Sequence, residues 1–233
     1  MKTLKLYALA CWLWLLALAG YLTTLGNNEA LNAATRGEKP TAWMKFVGLF
    51  KSLREEALTS ETTSGTKLKM TGSEGKSYVN EKVVVFPEIN GKVTKGEKVE
   101  GLYVGCPYYV VEAATNEFGV ALTRAGSAIT PGTIKTTTKV TLLEELPETP
   151  YARVATAFGA AAGSESTDTE KVIKVPASTT VTYAGWWEKS TKVGETHANE
   201  VLVAVEKLEN PETFTGAGEY KLTSDKLEGN PIA

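Results

Sequence analysis

From Lys67 onward the chain runs in short stretches rich in Val, Thr and Tyr, cut by Gly, Pro and Asn, with no long helical period. β-Branched and aromatic residues in runs of this length suit a pleated, half-buried surface, so the core is predicted to be β. Candidate strands are residues 77–86, 97–104, 108–114, 118–124, 133–143, 152–158, 169–175, 180–187, 200–205 and 219–222. Asn90-Gly91 supplies the dipeptide that closes two-residue hairpins, and Asn116-Glu117 lies between two apolar runs as a second hairpin tip. Ten short strands at this spacing predict an antiparallel β-sandwich, jelly-roll or Ig-like.

The first 58 residues are written differently. Residues 6–22 (LYALACWLWLLALAGYL) carry no charge and follow Lys2 and Lys5. Three readings are open for them. A secretory signal would use the Ala17-Leu18-Ala19 pattern ahead of Gly20. A membrane anchor would be at the lower edge of spanning length. The third, which is the expectation, is a helix buried in an assembly, with Leu6, Leu9, Leu13 and Leu16 packed together with Trp12 and Trp14, and Tyr21 at its end. After a break at Gly37 to Pro40, Trp43, Phe46, Val47, Phe50 and Leu53 recur at helix-like spacing, although a short strand at 44–50 fits as well. Trp43 is counted with the assembly residues. The organisation expected is an N-terminal helical arm over 1–58, a Ser/Thr/Gly-rich linker over 59–66 and a β-region over 67–233. A weak echo, VVVFP before VEGLYV and VIKVP before TYAGWWE, suggests two related halves, 67–115 and 116–233.

Composition narrows the function. With 25 Lys+Arg against 27 Asp+Glu the net charge is -2, without the basic excess that phosphate backbones demand, and nucleic acid is not an expected partner. Cys11 and Cys106 are the two cysteines, too few for a disulfide framework or a four-cysteine zinc site. Only Asp168 and Asp225 are aspartates, and His197, in a polar loop, is the sole histidine, so no Ser-His-Asp or Cys-His set can be assembled. Nucleophile elbow, phosphate loop, HExxH and dinucleotide motifs are all missing. The adjacent pairs Glu55/Glu56 and Glu144/Glu145 point to different faces of any element and read as solvated charges. No catalytic residue, cofactor or metal is expected.

Trp186 and Trp187 are neighbours in a candidate strand, so one should face the core and the other outward, toward a loop, subunit or ligand. Alternation puts Tyr151 and Arg153 on one face, where Arg153 is expected to lie against an aromatic ring or pair with a glutamate.

Residues 150–191, PYARVATAFGAAAGSESTDTEKVIKVPASTTVTYAGWWEKST, resemble a family of small bacteriophage virion proteins labelled tail-fibre-like or minor tail proteins. Its members carry a YARxAVxFGAA segment, a polar stretch and then VxFPxxxxxTVTxxGLWD. Tyr151, Ala152, Arg153, Phe158 and Gly159 match the first part; Val175, Pro176, Thr180, Val181, Thr182, Gly185, Trp186 and Trp187 match the second. Glu188 stands where the family commonly has Asp. The resemblance implies a β-sandwich displayed on a virion as a capsid decoration or a tail or fibre element, with Tyr151, Arg153 and Trp186 on paired or adjacent strands and no catalytic role. The partners it implies are copies of the chain and other capsid or tail proteins, with a host surface as a further candidate; membrane is not among them. A secreted or membrane-anchored β-sandwich adhesion or carbohydrate-binding module is the alternative.

Overall fold

Val83, Val84, Val85 and Phe86 form a strand buried on both faces, which explains why their sequence is continuously apolar rather than alternating. The computed structural model describes residues 44–62, 65–69, 78–80, 82–147, 149–158, 165–190, 202–223 and 226–228. Among these residues all regular structure is β. In chain order the strands are β1 (Phe46–Ala57), β2 (Lys67–Lys69), β3 (Val83–Glu88), β4 (Lys98–Val99) and β5 (Leu102–Tyr103). Then come β6 (Pro107–Ala114), β7 (Glu117–Ala121), β8 (Lys139–Glu145), β9 (Val154–Ala155) and β10 (Glu165–Thr167). The last are β11 (Lys171–Val175), β12 (Thr179–Trp187), β13 (Leu202–Phe214), β14 (Gly218–Leu222) and β15 (Lys226–Glu228).

Nine strands make one antiparallel sheet in the order β13-β12-β1-β8-β3-β6-β7-β2, with β9 also on β1. Pairs β4-β5, β10-β15 and β11-β14 stand apart. One face of the β8-β3-β6-β7 limb turns Val84, Phe86, Tyr108, Val110, Phe118 and Leu142 into a cluster closed by Ile89, Leu102 and Ile134. The alternate residues Val83, Val85, Tyr109 and Leu143 meet Phe50, Tyr183, Trp187, Leu202 and Val205 of the other limb. The sheet therefore curls, and β13 comes back against β6. A third cluster lies where β11 and β14 cover β1 and β12, through Ile173, Val175 and Tyr220 against Val47, Leu49 and Val181.

The turns follow the sequence closely. Asn90 and Gly91 have φ of 52° and 82° between the bridged residues Ile89 and Lys92, the mirror-image turn that Asn-Gly favours. The expected Asn116-Glu117 tip is corrected by one residue: Thr115 and Asn116 close the β6-β7 hairpin, in which Ala114 pairs with Glu117, the first residue of β7. Pro211 is accommodated because β13, the end strand of the order, bulges between Lys207 and Glu212 where it leaves the β12 register.

The helical reading of 40–58 is corrected over the described part of that range. Phe46, Val47, Phe50 and Leu53 lie on a strand of 12 residues, β1. Their apolar run looked helical because β1 is buried on both faces there, Val47 and Leu49 toward β11-β14 and Phe50 into the curl. The 59–66 linker is likewise partly built into the sheet, Ser60 bridging Lys69 and Thr62 bridging Ile134. The division between the halves 67–115 and 116–233 falls in the β6-β7 hairpin turn. Leu6, Leu9, Trp12, Leu13, Trp14, Leu16, Tyr21 and Trp43 lie outside the described residues, as does His197.

Burial pushes the Cys106 thiol from its ordinary 9.0 up to about 12 and also raises the phenols of Tyr78 and Tyr108 in the same cluster. Between about pH 9 and 12 the unfolded chain gives up a thiol proton that the folded chain keeps. The unfolded state then binds fewer protons, so stability is complete below that window and falls as pH rises through it. Denaturant midpoints are expected to drop from about pH 8 to about pH 11, and Cys106→Ala to flatten part of that slope. A midpoint independent of pH over that range would contradict the burial of these groups.

Candidate functional site

β1 changes partners at Phe50. From Phe46 to Phe50 it pairs with β12 on one edge; on the other it pairs with β9 at Phe46 and Val47 and with β8 from Phe50 onward. Neither β8 nor β9 covers Leu49. Its carbonyl accepts from Leu146 N at 3.2 Å. Its N–H donates to the Tyr151 hydroxyl at 3.1 Å, so a side chain supplies the missing rung of the ladder.

The Tyr151 hydroxyl in turn donates to Glu145 Oε1 at 2.8 Å. Arg153 grips the same carboxylate in a fork, Nε to Oε1 at 2.6 Å and Nη2 to Oε2 at 2.7 Å, and its Nη1 reaches the Lys189 carbonyl at 3.0 Å. The side chains of Arg153 and Glu145 are 1% and 6% exposed, so this ion pair is withdrawn from water. Burial first, and the Glu145 charge next, hold the Tyr151 phenol protonated well above its ordinary range. The guanidinium lies 4.0 Å from the centroid of the Trp187 ring, while Phe50 stacks on Trp187 at 5.1 Å between centroids.

A glycine pair makes room for these rings. Gly48 and Gly185 are cross-strand partners on β1 and β12. A Cβ on Gly48 would come within 2.1 Å of the Tyr151 hydroxyl, and one on Gly185 within 2.5 Å of the Phe50 ring and 2.9 Å of Trp187. Aromatic rings laid over strand glycines bury backbone that would otherwise weaken the sheet.

Next to this cluster lies a cleft of about 170 Å³. Phe50, Tyr109, Leu143 and Trp187 line it below charged residues, among them Lys82, Arg124 and Glu144. Glu144 is held by Lys51 at 2.7 Å and Lys82 at 3.2 Å. Burial alone would raise its carboxyl, but these two hydrogen-bonded cations outweigh that and keep it below the ordinary carboxylate range. Arg124 sits over the Tyr109 ring at 5.8 Å. A second groove, about 330 Å³, runs past Trp186, Leu208 and Tyr220 where β13 bulges away from β12.

Tyr151, Arg153 and Trp187 thus converge on β1, joined by Glu145. Trp186 faces the other way, half-buried against Met44 and Val203. Arg153 makes both contacts expected of it, an aromatic ring and a glutamate, though the ring belongs to Trp187. Glu145 is corrected: it is buried and paired, whereas Glu144 keeps a partly exposed side chain. Gly48 is not among the residues the sequence singles out; the signal it offers is a lone glycine inside an apolar strand run. Among the described residues no group of three His, Cys, Asp or Glu side chains could hold a metal ion.

The arrangement spends its polar groups on each other: each carboxylate oxygen of Glu145 already accepts at least one hydrogen bond. No family model, curated protein or solved structure matches the chain.

Gly48→Ala is expected to lower stability by about 1–3 kcal/mol, the usual cost of overpacking, because yielding space means moving Tyr151 off the Leu49 N–H and Glu145. Gly216→Ala, at a position with nothing within 4 Å of the added carbon, is the control and should be near neutral. Equal midpoints for the two variants in denaturant unfolding would show that the glycine seat is not needed.

Proposed function

We propose that this chain is a non-enzymatic structural protein of a bacteriophage virion, a capsid decoration or a tail or fibre surface component. The observation that carries the reading is the fate of the motif residues. Tyr151 and Arg153 from the first segment and Gly185 and Trp187 from the second are 32 or more positions apart in sequence, yet they close around one strand as a buried clamp. Residues used up in this way serve architecture rather than turnover.

The proposal includes a sandwich architecture, supported by the packing of β11-β14 over β1-β12 and by the curl of the large sheet. It also includes a helical N-terminal arm that docks the β-region into the particle, burying Leu6, Leu9, Trp12, Leu13, Trp14, Leu16 and Tyr21 against other subunits. Trp43 and the half-buried Trp186 would lie where the arm enters the β-region. Partners are then further copies of the chain and other capsid or tail proteins. The alternative of a secreted sugar-binding module is not favoured at Trp187: Phe50 covers one side of the ring and Arg153 contacts it at 4.0 Å, leaving no stacking platform for a sugar.

Immunogold labelling with antibodies against the full chain is expected to decorate purified particles of the source phage at one repeated position. Label confined to the host envelope or culture medium, with bare particles, would contradict the proposal. Replacing Leu9, Leu13 and Leu16 together by aspartate should abolish incorporation while the β-sheet circular dichroism is retained. Normal incorporation of that variant would remove the arm from the account.

A further inference from the structure

We propose that Asn90-Gly91, the single Asn-Gly step in the chain, is a spontaneous deamidation site that the 133–138 segment holds shut. Asn-Gly is the dipeptide most open to this chemistry because glycine places no side chain beside its own backbone nitrogen. The Gly91 nitrogen, losing its proton to solvent base, bonds to Asn90 Cγ. The Cγ–Nδ2 bond then breaks, and Nδ2 takes a proton and leaves as ammonia. Water opens the resulting succinimide at either carbonyl, leaving aspartate or isoaspartate at position 90. No reagent other than water is consumed.

The carboxamide of Asn90 is not at liberty to take that path. Its Nδ2 donates to the Thr133 carbonyl at 2.8 Å. Its Oδ1 accepts from Lys135 N at 2.7 Å and from Thr138 Oγ1 at 3.1 Å. The Asn90 backbone N–H donates to the same Thr138 hydroxyl at 3.0 Å, fixing the turn from the other side. Ring closure requires the carboxamide to turn toward the Gly91 nitrogen and its carbon to become tetrahedral, and both movements give up these bonds. All three side-chain partners lie on one segment, so a single event, the lifting of 133–138, exposes the site.

That segment is itself tied down. Ile134 exchanges two backbone hydrogen bonds with Thr62 at 2.8 Å each, and the Thr138 carbonyl accepts from Leu58 N at 3.0 Å. Ile134 is fully buried in the cluster shared by Val84 and Leu142. Deamidation at position 90 therefore reports opening of this strap from the sheet.

The change is also one-way. A carboxylate oxygen in place of Nδ2 would face the Thr133 carbonyl with no proton between them, and isoaspartate would add a backbone carbon to a two-residue turn. The latch could not re-form as it was, so aged protein would carry a loosened strap.

The test follows isoaspartate and aspartate at position 90 by peptide mapping of the full chain, incubated in mildly alkaline buffer with and without denaturant. The native chain is expected to deamidate slower than the denatured chain on the order of tenfold or more, since hydrogen bonds must be surrendered first. Thr138→Val keeps the side-chain shape and removes the hydroxyl, and should speed native deamidation several-fold. Equal rates in native and denatured parent chain would overturn the proposal. So would a Thr138→Val chain that melts as a folded protein yet deamidates no faster than the parent. Should that variant fail to fold, the comparison of native and denatured parent decides alone.

Discussion

A buried ion pair, Arg153 on Glu145, sits at the place where β1 passes from one set of neighbours to another. Removing two charges from water is costly, and a pair this far inside contributes only when every remaining donor and acceptor is also met. Here the Tyr151 hydroxyl, the Lys189 carbonyl and the Trp187 ring supply those contacts. The pair therefore ties the end of β8, the approach to β9 and the end of β12 around β1. In turn Tyr151 completes a backbone rung that no strand supplies. The close approach of these side chains to the sheet depends on the Gly48-Gly185 pair.

The rest of the architecture depends on β1 being shared. Through its first half it carries β12 and β13, and through its second half β8, β3, β6, β7 and β2. Because both limbs hang from one strand, the sheet can curl until β13 reaches β6, where Val83 and Tyr109 meet Leu202 and Val205 in one apolar cluster. Lys95 and Glu206 form an ion pair across the same closure, between the segment after β3 and β13. Exposed pairs of this kind contribute little, so the apolar cluster is the main support of the curl.

Much of this fold is legible in the sequence, for identifiable reasons. In β12 the less buried Thr182 falls between the buried Val181 and Tyr183, an alternation visible without a structure, whereas β11 hides its alternation because Lys171 is buried and Val172 exposed. The Asn90-Gly91 turn was legible because its dipeptide demands left-handed backbone. β1 was ambiguous because burial on both faces erases the alternation and leaves an apolar run that also fits a helix. β2, β10 and β15, of three residues each, are too short to carry a period. At the site, Tyr151 and Arg153 do meet, both on Glu145, but the expected strand alternation is not the cause, since both precede β9, which begins at Val154; and which of Glu144 and Glu145 turns inward is decided by the register of β8 on β1, a long-range fact. For the same reason Gly48 could not be matched to Gly185 until the two strands were paired.

A double-mutant cycle on the ion pair asks whether the clamp is an architectural unit held by mutual satisfaction. Denaturant unfolding would compare the parent with Arg153→Met, Glu145→Leu and the double variant. Each single change strands a buried charge and is predicted to cost about 3–5 kcal/mol, whereas the double change should cost far less than their sum, giving a large coupling energy. Single variants within about 0.5 kcal/mol of the parent, or costs that simply add, would contradict the account.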